Sequence, residues 1–209
     1  MKKILIADDH PTIRNGLKLI LNSEFSEVEL GEADNGSEAL KKIREKNWDL
    51  LILDVDMPGR NGLEVLKQLK DEKIKTPVLI FSMHPEKHVA IRALKLGASG
   101  YLSKDTAGEE LTKAIGLILS GKRYITPSLA DLLATQLENP SDKAPHELLS
   151  EREYQTMKLF AVGKTVSDIS EELSLSVSTV STYRMRILEK LGVKTSAEII
   201  SYAIRNNLV

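Results

Sequence analysis

Leu50-Leu51-Ile52-Leu53-Asp54-Val55-Asp56-Met57-Pro58-Gly59 runs four apolar residues into an acid and then into a Pro-Gly turn. A short apolar run bounded by turn residues reads as a buried strand of a parallel sheet. Asp54 then stands at the strand's C-terminal end, where open α/β sheets carry their chemistry. A second strand, Lys3-Ile4-Leu5-Ile6-Ala7, also ends in acid, the pair Asp8-Asp9. Neighbouring strand ends would gather three carboxylates, and like charges that close are costly unless a cation joins them.

Strand and helix patterns alternate outward from this pair to about residue 122. Ile13, Leu17, Ile20 and Leu21 form a helical stripe over residues 11–21, and Val28 to Ala33 is a strand. Asn35-Gly36 is a turn, after which Ser37 is expected to cap a helix through Lys46. Leu63, Leu66 and Leu69 mark a third helix, and Pro77 to Phe81 a fourth strand. The helix bearing Val89, Ala93 and Leu94 stops at Gly97, and Gly100 to Ser103 is a short last strand. Glu109 to Ser120 is the last helix of the series. Five such repeats predict a doubly wound α/β domain, a parallel sheet with helices on both faces.

The rhythm then breaks. Pro127-Ser128 opens a short amphipathic helix, and residues 139–145 are nearly devoid of apolar side chains, which is linker composition. Residues 1–124 therefore form the sheet domain, 125–148 a linker with a short helix, and 149–209 a second domain. The second domain has no strand pattern. Ser150 with Glu153 makes a capping box, Thr165 with Asp168 opens a short helix, Ser176 or Ser178 opens a third through Leu191, and Ser196 begins a fourth. Four short helices with a tight turn between the second and third predict an all-α helix-turn-helix unit.

Lysine and arginine (29) nearly balance aspartate and glutamate (30), so any surface for nucleic acid must be local. The chain has no cysteine, which excludes disulfides and thiolate metal sites. There is neither an N-terminal apolar leader nor a long uncharged apolar run, so a soluble cytoplasmic protein without membrane contact is expected.

Two further strand ends complete a site: Ser82 follows residues 78–81, and Lys104 follows Tyr101-Leu102-Ser103. An acid, a serine or a lysine after a strand is ordinary by itself; four strand ends converging in one sheet are not. Such a donor set suits a hard divalent cation such as Mg²⁺, with Asp9 and Asp54 as direct ligands, Asp8 through water, and the main-chain oxygen of Asp56. Lys104 would neutralise an incoming phosphoryl group, Ser82 would donate to one of its oxygens, and Asp54 would be the nucleophile. His84 and His88 are four apart, but Pro85 interrupts them and no third ligand is apparent; His10 reads as a loop or helix-start residue.

Asp8-Asp9, Asp54 with Met57-Pro58 and Gly62, Ser82 and Lys104 resemble the receiver domain of bacterial response regulators. The resemblance implies a flavodoxin-like five-stranded sheet of order 2-1-3-4-5 and phosphorylation by a partner histidine kinase. It also places Tyr101 at the aromatic switch position, whose ring turns inward as Ser82 moves toward the phosphoryl group. Asp105 stands where many receivers carry proline, which bears on the loop's geometry and not on the role of Lys104.

In the third C-terminal helix, Val180, Ile187 and Leu191 fall on one side, opposite Ser178, Ser181, Thr182, Met185, Arg186 and Glu189. Tyr183 and Lys190 flank one edge, and Arg184 and Leu188 lie nearer the core. An apolar keel under a face of Ser, Thr and Arg can enter a major groove, and the basic excess from Leu173 onward suits phosphate contact. Leu149 to Glu153, Ile169, Thr179-Val180 and Lys190-Leu191-Gly192 resemble the LuxR-type helix-turn-helix; joined to a receiver, this defines the NarL/FixJ class. Ser181 and Tyr183 replace the lysine and histidine of many relatives, a variant similar to the BvgA-type regulators. Ser178, Thr179, Ser181, Thr182, Arg184, Met185, Arg186 and Lys190 are the expected DNA contacts, on promoter DNA bound by a phosphorylated homodimer. Two other readings compete: a regulator that works without phosphate, and a haloacid-dehalogenase-type phosphatase built on Asp54-Val55-Asp56.

Overall fold

The computed structural model describes all 209 residues except 84, 85, 107, 139–143, 207 and 209; for 86–88, 106, 109, 136–138 and 151 only the backbone is described. The His84-Pro85 segment, the His88 side chain and most of the polar linker lie outside the described residues. Two compact units result, Met1–Gln136 and Leu137–Val209.

In the first unit, β1 (Lys2–Ala7), β2 (Val28–Ala33), β3 (Leu50–Leu53), β4 (Val78–Ser82) and β5 (Gly100–Ser103) form one parallel sheet of order β2-β1-β3-β4-β5. The strand interiors are apolar on both sides because both faces are covered. Leu5, Ala7, Leu51, Leu53 and Ile80 point to the layer of α2 (Gly36–Glu45), α3 (Gly62–Asp71) and α4 (Glu86–Leu96). Ile4, Ile6, Leu50, Ile52, Leu79 and Phe81 point to α1 (Pro11–Glu24) and α5 (Gly108–Leu119). This alternation follows from the two-residue period of a strand.

Local chemistry fixes the element ends. Asn35, not Ser37, caps α2: its side chain accepts from the Glu38 N–H, so the helix starts at Gly36, two residues earlier than a Ser37 cap would give. Asn35 is itself extended, the backbone conformation that a cap residue takes. Asn61 and Glu64 form a reciprocal capping box on α3. Gly62 is required there: a Cβ would stand 2.0 Å from the Asp54 carbonyl oxygen, which is the close approach that folds the β3–α3 loop over the site. Ser82 lies within β4 and not after it. The amphipathic helix α6 (Pro127–Glu138) packs on the sheet domain, with Leu129 fully buried and Leu132 and Leu133 against the same cluster.

The second unit contains α7 (Glu151–Ala161), α8 (Val166–Glu172), α9 (Val177–Leu191) and α10 (Ser196–Arg205). Ser150 with Glu153, and Thr165 with Asp168, cap α7 and α8 as reciprocal boxes; Ser176 caps α9 and Thr195 caps α10. Met157, Ile169, Val180, Ile187, Ile199 and Ala203 close the core at full burial. The α8–α9 turn passes through Ser174 at φ 53°, a left-handed conformation that costs an L-residue about 1–2 kcal/mol. Ser174→Gly is therefore expected to stabilise this unit by roughly 1 kcal/mol, read as slower native-state hydrogen exchange in α7 and α9. Unchanged or faster exchange would contradict the strain.

Candidate functional site: an acidic pocket at the sheet's carboxyl edge

The register of β1 and β3 pairs Ala7 with Leu53, so Asp8 and Asp54 emerge side by side. The Asp54 N–H donates to the Ala7 carbonyl (2.8 Å) and the Asp8 N–H to that of Ala33 (3.1 Å), so three neighbouring strands fix the two acids. This is where the strand order reverses on either side of β1, the crevice in which doubly wound sheets bind ligands. Asp8 and Asp54 are buried. Lys104, first residue of a 3₁₀ turn (Lys104–Thr106) after β5, reaches between them, its Nζ 2.7 Å from Asp8 Oδ2 and 2.9 Å from Asp54 Oδ2. The second Asp54 oxygen accepts from the Val55 N–H at 2.7 Å. Asp8 Oδ1 accepts from the His10 N–H at 2.8 Å, and Arg14 donates to the Asp8 carbonyl at 2.7 Å.

Burial dominates the electrostatics. It pushes the Asp54 carboxyl from 3.8 up to about 6 against the pull of Lys104, with Asp8 and Asp56 adding repulsion. Burial also opposes charge on Lys104, but the two carboxylates outweigh it and hold the ammonium above its ordinary range. Ser82 is fully buried and pairs in register with Ser103, one residue before Lys104. Tyr101 is fully buried within the core cluster on the α4 side. Asp56 is exposed on the β3–α3 loop. The sheet thus brings Asp8, Asp9, Asp54 and Lys104 into one pocket, with Ser82 and Tyr101 on the adjoining strands. Sequence reasoning passed over His10. It caps α1 without a side-chain cap bond, and its ring lies against the acids, with Nδ1 3.2 Å from Asp8 Oδ1 and 2.8 Å from Asp9 Oδ1. Its position directly after the acid pair and before Pro11 was the available signal.

On α9, Ser178, Ser181, Met185 and Arg186 are exposed, and Thr179 and Thr182 are half-buried. Thr182 donates to the Ser178 carbonyl, while Arg184 donates through Nε to Ser196 Oγ at 2.8 Å, tying its stem to the start of α10. Lys190 sits 2.6 Å from Glu153, whose carboxylate is 3 % exposed. Burial pushes that carboxyl up, but Lys190 and the Ser150 cap hold it below the usual range. Lys190 is thus committed to joining α9 to α7.

A sheet with buried acids and a lysine at one carboxyl edge, followed by a helix-turn-helix, defines a class. Residues 4–116 match the response regulator receiver domain, and residues 147–203 the luxR family of bacterial regulatory proteins. The chain belongs to the response regulators: it is a DNA-binding two-component regulator of transcription. Among individual proteins it is similar to response regulator GacA of Pseudomonas syringae pv. syringae, 37 % identical over 210 residues covering 100 % of this chain and 98 % of GacA. It is 35 % identical to response regulator UvrY of Escherichia coli over 209 residues, 100 % of this chain and 96 % of UvrY. Among solved structures it is similar to RcsB from Salmonella enterica serovar Typhimurium bound to promoter rprA in the presence of phosphomimetic BeF3⁻. That likeness has a TM-score of 0.58 at 25 % identity and covers 97 % of this chain and 98 % of RcsB. Among the described residues no helix is long and apolar enough to cross a membrane.

The raised Asp54 carboxyl has a stability consequence. Between its unfolded value near 3.8 and about 6 the folded state holds a proton that the unfolded chain has released, so burying Asp54 costs stability as pH rises through that window. The stability of Asp54→Asn relative to wild type is expected to grow from about pH 4 to about pH 7 by at most about 3 kcal/mol, measured by urea unfolding without divalent cations. A difference independent of pH would contradict the dominance of burial.

Proposed function

We propose that Asp54 is the phosphoacceptor of this regulator and that its acyl phosphate sets the level of promoter binding. The observation that carries the reading is the clustering of Asp8, Asp9, Asp54 and Lys104, with Asp8 and Asp54 buried at neighbouring strand ends. Above pH 6 Asp54 is largely ionised, and one of its oxygens attacks the phosphorus of a phosphohistidine on a sensor kinase. The donor's P–N bond breaks, the Asp54 O–P bond forms, and the imidazole leaves; hydrolysis later returns the carboxylate and inorganic phosphate. Lys104 turns from the carboxylate to the transferred oxygens, and the Ser82 hydroxyl donates to one of them. Tyr101, on the strand beside Ser82, acts as the switch ring. Storage of the phosphoryl group, not turnover of a substrate, is the chemistry proposed.

A divalent cation fits the pocket. Asp9 Oδ1 is buried without a hydrogen bond among the described residues, with the His10 ring nitrogen 2.8 Å away, and it clusters with carboxylates that Lys104 alone leaves undercompensated. Asp9 and Asp54 would hold Mg²⁺ directly, Asp8 through water, and the Asp56 main-chain oxygen would complete the protein set; when bound, the ion neutralises charge on the carboxylates and the phosphoryl oxygens.

The output is read through α9. Ser178, Thr179, Ser181, Thr182, Met185 and Arg186 face the major groove, Arg184 reaches a flanking phosphate, and Lys190 contributes at the edge, since Glu153 already holds it. Residues 1–124 serve as the receiver, 125–148 as the connection and 149–209 as the reader, in a cytoplasmic protein that dimerises when phosphorylated. The Ser181-Thr182-Tyr183 run supports a place near the BvgA-type regulators. The phosphomimetic promoter complex of RcsB supports the coupling of the two events.

Treatment with acetyl phosphate and Mg²⁺ is expected to raise both self-association and promoter affinity in wild type and neither in Asp54→Ala, measured by sedimentation and fluorescence anisotropy. An equal response in the variant would overturn the phosphoacceptor. Arg186→Ala is expected to cost about 1–3 kcal/mol on promoter DNA and much less on random DNA. Equal losses on both would reassign Arg186 to the phosphate backbone.

A further inference from the structure

We propose that His10 is an additional protein ligand of the cation held by the acidic pocket, and that the site therefore favours Mn²⁺, Co²⁺ or Ni²⁺ over Mg²⁺. The proposal rests on the reading that the pocket binds a divalent ion.

Three observations carry it. The first is distance. Ligands at right angles about an ion with bonds of about 2.1 Å lie about 3.0 Å apart, and opposed ones about 4.2 Å. His10 Nδ1 is 2.8 Å from Asp9 Oδ1 and 3.2 Å from Asp8 Oδ1, and one ligand atom from each of Asp8, Asp9, His10 and Asp54 falls within 4.8 Å of all the others. Four side chains thus converge on one space, and His10 Nδ1 stands at the spacing of a neighbouring ligand from an oxygen of Asp9.

The second is the state of Asp9 Oδ1. It is buried and makes no hydrogen bond among the described residues, although the imidazole nitrogen is only 2.8 Å away. With the ring neutral and its proton on Nε2, a cation between the two would take a lone pair from each, in place of the ion pair that they form when Nδ1 carries a proton.

The third is that, among the described residues, the polar contacts of the ring are with the acids, Asp8 Oδ1 and Asp9 Oδ1. His10 begins α1, yet its side chain makes no cap bond. Pro11 fixes the start of the helix, and the His10 main-chain N–H is anchored on Asp8 Oδ1, so the imidazole is held beside the acids by its own backbone. Lys104 approaches from the other side, on Asp8 Oδ2 and Asp54 Oδ2, and leaves Asp8 Oδ1 and Asp9 Oδ1 facing the ring.

Carboxylate and water oxygens suit Mg²⁺, whereas an imidazole nitrogen raises affinity along the series from Mn²⁺ to Ni²⁺ and adds little for Mg²⁺. The ring is 63 % exposed, so truncating it leaves no cavity and the fold is expected to persist. The test is calorimetric titration of the full-length protein with Mg²⁺ and with Co²⁺, in wild type and His10→Ala, together with electron spin-echo spectroscopy of the Mn²⁺-loaded forms. The variant should lose about tenfold or more of its Co²⁺ affinity while Mg²⁺ affinity changes less than about twofold. A ¹⁴N coupling to Mn²⁺ should be present in wild type and absent from the variant. Equal effects on the two metals, no effect on either, or a ¹⁴N coupling that survives in His10→Ala would each overturn the assignment of His10. Failure of wild type to bind either metal would instead overturn the pocket as a cation site, and the proposal with it.

Discussion

The site depends on the side-by-side pairing of β1 and β3. Their register puts Asp8 beside Asp54 without regard to what those side chains cost. Backbone hydrogen bonds and fully buried Leu, Ile and Ala side chains hold the strands, and the carboxylates are carried along. The repulsion is met by one ammonium, Lys104, delivered from the far end of the sheet by the order β3-β4-β5. An acid kept in such surroundings is costly for folding and useful for chemistry, because any cation or phosphoryl group that enters finds charge waiting with little water to displace.

That compromise also explains how a local reaction could be felt elsewhere. Lys104 has two partners at 2.7 and 2.9 Å, so a phosphoryl group on Asp54 would have to reapportion a fixed set of contacts. Ser82 and Tyr101 lie on the two strands next to that rearrangement, fully buried in a close-packed interior that moves between discrete arrangements rather than deforming smoothly. The reader domain has its own internal economy. Each of its four helices starts with a hydroxyl cap, and the Glu153–Lys190 pair clamps α7 to α9.

Much of this was legible in the sequence because the signals were strong where the physics is local. Apolar runs ending in acids located β1 and β3, and the alternation of elements led to the five-stranded parallel sheet. The acids and lysine came together as their strand ends required. What escaped was whatever depends on side-chain direction. Asn35 capped α2 in place of Ser37 because a turn residue and a cap residue look alike until the backbone is drawn. The residues of α6 read as linker because its few leucines reveal an apolar face but not what it packs on; Leu129 is in fact fully buried. His10 reads as a helix-start residue, and it is one, yet only the folded backbone brings its ring onto the acid pair. Lys190 read as an open phosphate contact because its partner, Glu153, lies far away in sequence.

The central claim is that the buried acid at the end of β3 accepts the phosphoryl group. Borohydride reduction converts an acyl phosphate to the alcohol, so protein treated with acetyl phosphate and Mg²⁺, reduced and sequenced by mass spectrometry, should carry homoserine at position 54. Homoserine at another aspartate, or full phosphorylation with residue 54 unmodified, would contradict the account.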